Sequence, residues 1–571
     1  AQVVVQTIAP FVFLSPLQLA RRHFQMFCKR LLLCLLLDTV RYVQAAWSIN
    51  SKGQVVDSHG RERFFHGVNV VYKSAPYIPR TTGNLADNLG FSVADAKFLK
   101  SLGLNVIRLG AMWPGVEPVK GTYNTSYVEE LRKIVRICAD QGISVVLDFH
   151  QDGFSEMFCG EGVPMWASYM HGLSPFQFPF PVEGKPYVLQ GNANFSGIYK
   201  DAKIPSEKDC ARHQWPAYQA SYAVAKNYAD LYTNGRGIRD SFVAYWEHLA
   251  AEFKDEPNVL AFELMNEPGL TYNFWSFPGF IDSHYLQPLY DIVATAIRKI
   301  DPERVILFEP TTWSDEWPDV VGKIFESHLS HAPGGLVHAS KSVYAYHYYS
   351  FANFLRKQSP VQDYFEARAK DALKMKVGQF VTEWMLDGCD DDWEMNILDE
   401  MKLNWIGWNY KEYVPAKGDP RAEFARTCTG CGAGLIRGDP AVVNWKNAKC
   451  VARAYPKAVQ GQLASMSFNA TSSVFVLKYE MNLTVSEPTV IYVNTEPLNQ
   501  ALDGSLLGAD TFIPARYANG VDVSITPPGA ATWSLSGQEL QISGKNLASA
   551  QQVTVTVRPH VDDAVNSAVL V

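Results

Sequence analysis

Val259-Leu260-Ala261-Phe262-Glu263-Leu264-Met265-Asn266-Glu267-Pro268 is an apolar run that ends in an amide and an acid. A short continuous run of this kind predicts a strand buried on both faces, as in a parallel sheet covered by helices. The flanking sequence repeats the pattern. Upstream, strand-like segments at Phe64–Tyr72, Asn105–Trp113 and Ser144–Gln151 alternate with helical spacing at Val93–Leu102 and Tyr127–Asp140. In the second of these helices apolar residues fall at 128, 131, 134, 135 and 138. Phe242–Phe253 predicts the helix before the quoted strand, and strands follow at Arg304–Pro310, Val343–Tyr349, Val377–Trp384 and Asn404–Tyr410. Helices are predicted near 285–300, 364–376, 393–402 and 441–454, with only the helix after the fifth strand weakly signalled. Eight strands in such alternation predict a (β/α)8 TIM barrel over 47–456, interrupted by an insertion at about 153–240.

After Tyr455-Pro456 the texture changes. Ser473–Tyr479, Thr489–Val493, Val521–Ile525, Glu539–Ile542 and Gln552–Val557 are short strand-like runs separated by turn residues, without helices between them. They predict a C-terminal antiparallel β-sandwich domain over 457–571. Two domains also suit the length, because 571 residues exceed the ~250–300 at which single cores stop growing. A composition with 47% hydrophobic and 19% charged residues excludes a disordered, collagen-like or coiled-coil chain. The formal net charge of −7 gives no bulk attraction for nucleic acid.

Residues 1–46 are expected to be an upstream segment and a secretory signal peptide. Leu31-Leu32-Leu33-Cys34-Leu35-Leu36-Leu37 follows Lys29-Arg30 and is ended by Asp38. That run is far shorter than the ~20 residues a spanning helix needs, and Val43-Gln44-Ala45 offers small residues for cleavage. Met26 is the expected start of translation, with 1–25 as upstream read-through and a mature terminus near Ala46 or Trp47. The alternative is a membrane-anchored N-terminus built from the apolar stretches at 8–19 and 31–37. Secretion, or delivery to the lumen of the secretory or lysosomal pathway, agrees with Asn-x-Ser/Thr acceptors at Asn124, Asn194, Asn469 and Asn482. Outside the signal lie Cys138, Cys159, Cys210, Cys389, Cys428, Cys431 and Cys450. The number is odd, so at least one thiol stays free, and Cys138 in an apolar helical pattern is the choice. Cys159 and Cys210 flank the insertion and could staple it. Cys428 and Cys431 have zinc-like spacing without a second Cys/His pair, so a disulfide is expected there.

In barrels of this kind the reactive groups stand at the C-terminal ends of strands. Read in order, those ends carry Arg108, His150 with Asp152, Asn266-Glu267, His347 with Tyr349, Glu383 and Trp408, and Lys73 follows the first strand. Glu267 and Glu383 fall on the fourth and seventh strands, which ring closure can bring face to face. A retaining glycosidase needs two carboxyls about 5–5.5 Å apart. Glu267 would be kept protonated by its surroundings to give a proton to the leaving oxygen. Asn266 beside it would bind a sugar 2-hydroxyl. Glu383 would be ionised and held by Arg108 and Tyr349, and Trp408 would offer a flat face to a sugar ring. The structural alternative makes both acids salt-bridge partners at the barrel mouth. No His/Asp/Glu group shows metal-ligand spacing and no G-x-S-x-G elbow occurs, so chemistry without metal, cofactor or serine nucleophile is expected.

This ordered set resembles glycoside hydrolase family 5. Gly67-Val68-Asn69-Val70-Val71-Tyr72-Lys73, Arg108-Leu109-Gly110-Ala111-Met112-Trp113-Pro114-Gly115-Val116-Glu117-Pro118, Asp148-Phe149-His150-Gln151-Asp152 and Phe158-Cys159-Gly160-Glu161-Gly162-Val163-Pro164 are similar to segments of its endoglycoceramidases. The resemblance spans roughly 60–456, with a C-terminal β-sandwich also expected. It implies Glu267 as acid/base, Glu383 as nucleophile, and Lys73, His150, Asp152, Asn266, Tyr349 and Trp408 as sugar contacts; Arg108 and His347 complete the expected substrate-binding set. Within Tyr344-Ala345-Tyr346-His347-Tyr348-Tyr349 several tyrosines could make the contact.

The implied activity is hydrolysis of the bond between the sugar headgroup and ceramide of glycosphingolipids. The alternatives are a β-glucosidase acting on glucosylceramide or sterylglucoside, and an inactive glycolipid-binding protein. Lipid as partner also agrees with the density of Phe154, Met157, Phe158, Met165, Trp166, Tyr169, Met170, Phe176, Phe178 and Phe180, and of Phe274, Trp275, Phe277 and Phe280. Adaptable apolar side chains suit acyl chains, each buried CH2 contributing about 0.8 kcal/mol. Peripheral contact of the barrel mouth with a membrane or micelle surface is expected. Oligomeric state has no signal in the sequence.

Overall fold

The computed structural model describes residues 47–170, 205, 210, 218–219, 221–271, 278–312, 327–349, 361–384, 393–411, 434–437, 442–497, 515–545 and 551–561. Three two-residue strands come first, β1 (Ser48–Ile49), β2 (Val55–Val56) and β3 (Glu62–Arg63). Eight strands then form a barrel: β4 (His66–Val70), β5 (Val106–Gly110), β6 (Ser144–Asp148), β7 (Val259–Glu263), β8 (Val305–Phe308), β9 (Ser342–Tyr348), β10 (Gly378–Trp384) and β11 (Asn404–Gly407). Neighbours pair in parallel in chain order, and β11 closes the ring on β4 with Ile406 opposite Gly67. Gly67 is required where β4 meets β5, since a Cβ there would sit 2.0 Å from the Val106 carbonyl oxygen.

The sequence patterns explain the elements. Every residue of β4 to β9 is buried, which is why these strands read as unbroken apolar runs. Helix Thr125–Asp140 buries Val128, Leu131, Ile134, Val135 and Cys138, the residues its spacing predicts, and Asn124 caps it by accepting from Tyr127 N at 3.3 Å. Helix Val93–Ser101 starts with a capping box between Ser92 and Asp95.

Some strands stop earlier than their apolar runs. β5 ends at Gly110, because Pro114 opens a short helix at Trp113–Val116. β7 ends at Glu263, and the chain turns after it so that Asn266 N bonds to the Phe149 carbonyl at 2.9 Å. The weakly signalled helix is, among the described residues, a 3-10 turn at Leu336–Lys341.

Two small strands, β12 (Ile436–Arg437) and β13 (Val442–Val443), precede the C-terminal β-sandwich. It comprises β14 (Tyr455–Val459), β15 (Gly461–Asn469), β16 (Val474–Met481), β17 (Thr489–Tyr492), β18 (Val521–Thr526), β19 (Ala531–Ser536), β20 (Glu539–Gly544) and β21 (Gln551–Pro559). One sheet has the order β15-β16-β21-β18. The other runs β1-β2-β3-β14-β17-β20-β19, so the first residues after 47 complete a sheet otherwise built from the chain's far end. Two-residue strands carry no periodicity, which hid this pairing from the sequence. Alternate residues Phe475, Leu477, Tyr479 and Met481 of β16 meet Ile491, Leu540 and Ile542 of the facing sheet in one core.

Barrel and sandwich are joined by aromatic residues. The His66 ring stacks between Trp405 and Tyr455 at 4.4 and 3.7 Å. Tyr455 and Tyr492 donate to the carbonyls of Gly103 and Ser101 at 2.6 and 2.7 Å. Cys159 and Cys210 form a disulfide, and Cys138 is free and buried. Among the described residues no helix is long and apolar enough to cross a membrane. Residues 1–46, Cys389, Cys428, Cys431, Asn194, Phe176, Phe178, Phe180, Phe274, Trp275 and Phe277 lie outside the described residues.

Candidate active site

Arg108, the third residue of β5, points its guanidinium into the barrel axis, where it is 0% exposed. All its donors are used. Nε bonds Glu263 Oε2 at 2.5 Å; Nη1 bonds Asn69 at 3.1 Å and Glu383 Oε1 at 2.7 Å; Nη2 bonds Asn266 at 2.8 Å and Glu309 at 3.2 Å. Asp148 lies 3.1 Å from the same Nη2. Side chains from five strands or strand ends therefore converge on one cation. The guanidinium is fully buried and its donors are taken by protein side chains, so in this structure Arg108 braces the surrounding acids and amides instead of facing the barrel mouth.

Glu267 and Glu383 meet above this hub. One carboxylate oxygen of each lies, with a His347 ring nitrogen, inside a group whose atoms are all within 4.8 Å of one another. His347 Nδ1 is 2.8 Å from Glu267 Oε1 and 3.5 Å from Glu383 Oε2. Tyr349 donates its hydroxyl to Glu383 Oε2.

Glu267 has a left-handed backbone, φ 42°, a conformation that costs a non-glycine residue on the order of 1–3 kcal/mol. Gln151 supports it by donating Nε2 to the carbonyls of Asn266 and Glu267 at 2.8 and 2.9 Å. Asn266 is likewise fixed: its oxygen accepts from Arg108 and its Nδ2 donates to Gln151 O at 3.0 Å.

A second group lies beside the first. Lys73 pairs with Asp152 and, at 2.9 Å, with Glu161, and its ammonium sits 5.1 Å from the Trp408 ring centre. His150 bonds Asp148 through Nδ1 at 2.9 Å, faces Asp152 through Nε2 at 3.3 Å, and lies parallel to Trp408 at 5.7 Å. Lys73, with its side chain 36% exposed, and the half-buried Tyr349 and Trp408 are the members open to solvent.

Five carboxyls around Arg108 and His347 cannot all ionise in a buried site. Burial raises Glu263 to about 8. It also raises Glu267, helped by the Glu383 charge and opposed by the His347 bond. Burial alone would lower His347, but Glu309 and Glu383 outweigh it and hold the ring cationic. Glu309 itself falls below the usual carboxylate range, since His347 and Arg108 overcome its burial. In the neighbouring group burial raises Glu161 to about 8, Asp152 is lowered by Lys73 and His150, and His150 rises to about 9 through its carboxylate bonds.

The donor atoms of His150, Asp152 and Glu161, and of Glu263, Glu309 and His347, converge as tightly as metal ligands would. In the first triad Lys73 already bridges both carboxylates, and in the second Arg108 contacts both, so each site carries its own cation. Sequence reasoning passed over Asn69, Asp148, Gln151, Glu161, Glu263 and Glu309. The available signal was a charge inside or just after an apolar strand, as at Glu263 and Glu309. Of the apolar cluster, Phe154, Met157 and Phe158 pack in the barrel core rather than lining a groove.

A closed parallel barrel with two carboxyls facing across its C-terminal mouth defines a glycosidase. The description Cellulase (glycosyl hydrolase family 5) matches residues 92–414, and the family 5 C-terminal domain matches 453–557. The chain belongs to glycosyl hydrolase family 5 and, within it, to the endoglycoceramidases. It is 34% identical to an endoglycoceramidase of Cyanea nozakii, over 87% of this chain and 90% of that protein. To an endoglycoceramidase of Hydra vulgaris it is 36% identical, over 78% and 80% of the two chains. The fold is shared with endo-glycoceramidase II from Rhodococcus sp., solved as a ganglioside GM3 complex, with TM-score 0.62 and 20% identity over 89% of this chain and 99% of that one.

Proposed function

We propose that this enzyme hydrolyses the β-glycosidic bond between the sugar headgroup and ceramide of glycosphingolipids by double displacement. Glu267 protonates the glycosidic oxygen while Glu383 attacks the anomeric carbon, releasing ceramide and leaving a glycosyl ester. Glu267 then takes a proton from water, which displaces Glu383 and frees the sugar with its configuration retained. The observation that carries this is the spacing: carboxylate oxygens within 4.8 Å suit direct attack, whereas inverting enzymes hold their acids about 6.5–9.5 Å apart to seat a water. Lys73, His150, Asp152, Asn266 and Trp408 form the sugar site, with Arg108 and Tyr349 aiming Glu383.

The test is mass spectrometry of products from a mixed glycosphingolipid extract. Intact oligosaccharides with free ceramide are expected, and Glu267→Gln and Glu383→Gln should each abolish release. Free glucose alone would favour the narrower glucosidase reading, and wild-type turnover by either variant rejects the assignment. A secreted or lumenal location is part of the same reading, and the Cys159–Cys210 disulfide supports it. Peripheral lipid contact belongs to the reading as well, with the exposed Tyr169 as a candidate for it.

A further inference from the structure

Glu309 lies just past β8 beneath the two glutamates, 1% exposed. Its backbone is pinned by the Tyr290 hydroxyl, which donates to its carbonyl at 2.8 Å. Its Oε2 accepts the Glu267 backbone N–H at 3.1 Å, and its Oε1 lies 3.3 Å from His347 Nε2 and 3.2 Å from Arg108 Nη2. Both nitrogens of His347 thus face carboxylate oxygens, Nε2 that of Glu309 and Nδ1 those of Glu267 and Glu383. Glu309 can only accept, which puts a proton on Nε2, and a second proton on Nδ1 keeps a ring lone pair from facing Glu383 at 3.5 Å.

Resting on the acid/base role proposed for Glu267, we infer that Glu309 is a positioning residue that holds His347 as an imidazolium against Glu267 and fixes the acid/base backbone in its left-handed turn. Since Nδ1–H occupies Oε1, the proton given to the leaving oxygen is carried on Oε2. The imidazolium also makes Glu267 easier to ionise than burial alone would allow. The charges facing this ring are Arg108 from β5, Asp148 from β6 and Glu263 from β7 through the guanidinium, Glu309 after β8, and Glu383 from β10. Removing Glu309's charge lets His347 lose its proton, and Glu267, 2.8 Å away, then holds its own more tightly.

The experiment is the pH dependence of kcat/KM on glycosphingolipid micelles for wild type, Glu309→Gln and Glu309→Asp. Glu309→Gln should move the alkaline limb up by about one pH unit and lower kcat about tenfold or more, with KM little changed. Glu309→Asp keeps the charge and should keep the limb in place. An unshifted limb in folded Glu309→Gln overturns the inference. Should that variant not fold, 15N-histidine NMR of the wild type decides: both His347 nitrogens, assigned with His347→Gln, should stay protonated across the active range, and a neutral tautomer overturns it. A Glu267→Gln enzyme with wild-type turnover would instead sink the acid/base reading, whereas an inactive one beside an unshifted Glu309→Gln removes this inference alone.

Discussion

Arg108 Nη1 donates to Glu383 Oε1 at 2.7 Å from a fully buried position, so the orientation of that carboxylate, the proposed nucleophile, depends on a residue buried out of solvent. The same guanidinium also contacts Glu263, Glu309 and Asp148. Arg108→Met should therefore destabilise the fold by about 3–5 kcal/mol, the cost of stranding buried charge. Arg108→Lys keeps the charge but not the fork, and should fold while losing most of kcat. Thermal melts and kinetics together check this; a Lys variant with wild-type kcat contradicts it.

Tyr349 supplies the other anchor of Glu383. Tyr349→Phe should lower kcat/KM by roughly 10–100-fold, as expected for a hydrogen bond to a charged group worth about 1.5–3 kcal/mol. Melting temperature should barely change.

The spacing of Glu267 and Glu383 predicts opposite products under azide rescue. In Glu267→Ala, azide replaces water in the second displacement and should give a β-glycosyl azide. In Glu383→Ala it replaces the nucleophile in a single displacement and should give an α-glycosyl azide. NMR of the anomeric proton distinguishes them, and the same anomer from both variants would refute the pairing.

Stability should be greatest in mildly acid solution. Glu161 and Glu263 titrate near 8 in the folded state against an ordinary 4.5, so the folded protein binds more protons than the unfolded chain and loses stability as pH rises between those values. His150, raised from 6.5 to about 9, adds stability that is complete below 6.5 and gone above about 9. Asp152 and Glu309, both lowered, act oppositely and only at strongly acid pH. Denaturant melts from about pH 5 to about pH 9 should show a fall on the order of a few kcal/mol. A rise over that range would contradict these protonation states.

Cys159 and Cys210 close a 51-residue separation, and Glu161, which holds Lys73, lies two residues from Cys159. A pair of Cys→Ser substitutions should cost about 3–4 kcal/mol. They should raise KM more than they lower kcat, because Lys73 and not the glutamate pair is loosened.

The barrel was legible because strands buried on both faces leave unbroken apolar runs and their helices leave one apolar stripe, as at Val128 to Cys138. The two glutamates were legible because they stand where such runs end. Glu263 and Asp148 were not, since a lone acid within an apolar strand looks like a boundary until its cation is seen on another strand. The placement of Arg108 is hidden for the converse reason: strand-end position does not distinguish a side chain aimed at the mouth from one aimed at the axis. The joining of β3 to β14 was beyond reach because pairing between positions 63 and 458 leaves no local trace.

That pairing bears on how the protein can be cut and made. During synthesis the segment at 48–63 must wait for nearly four hundred further residues before its partner strand emerges from the ribosome. A catalytic fragment ended at 456 would leave those strands with an open edge, inviting self-association in place of a free-standing barrel. A fusion set directly ahead of β1 would crowd that layer, whereas β21, the last described strand, lies in the other sheet, so a tag is better carried at the far end.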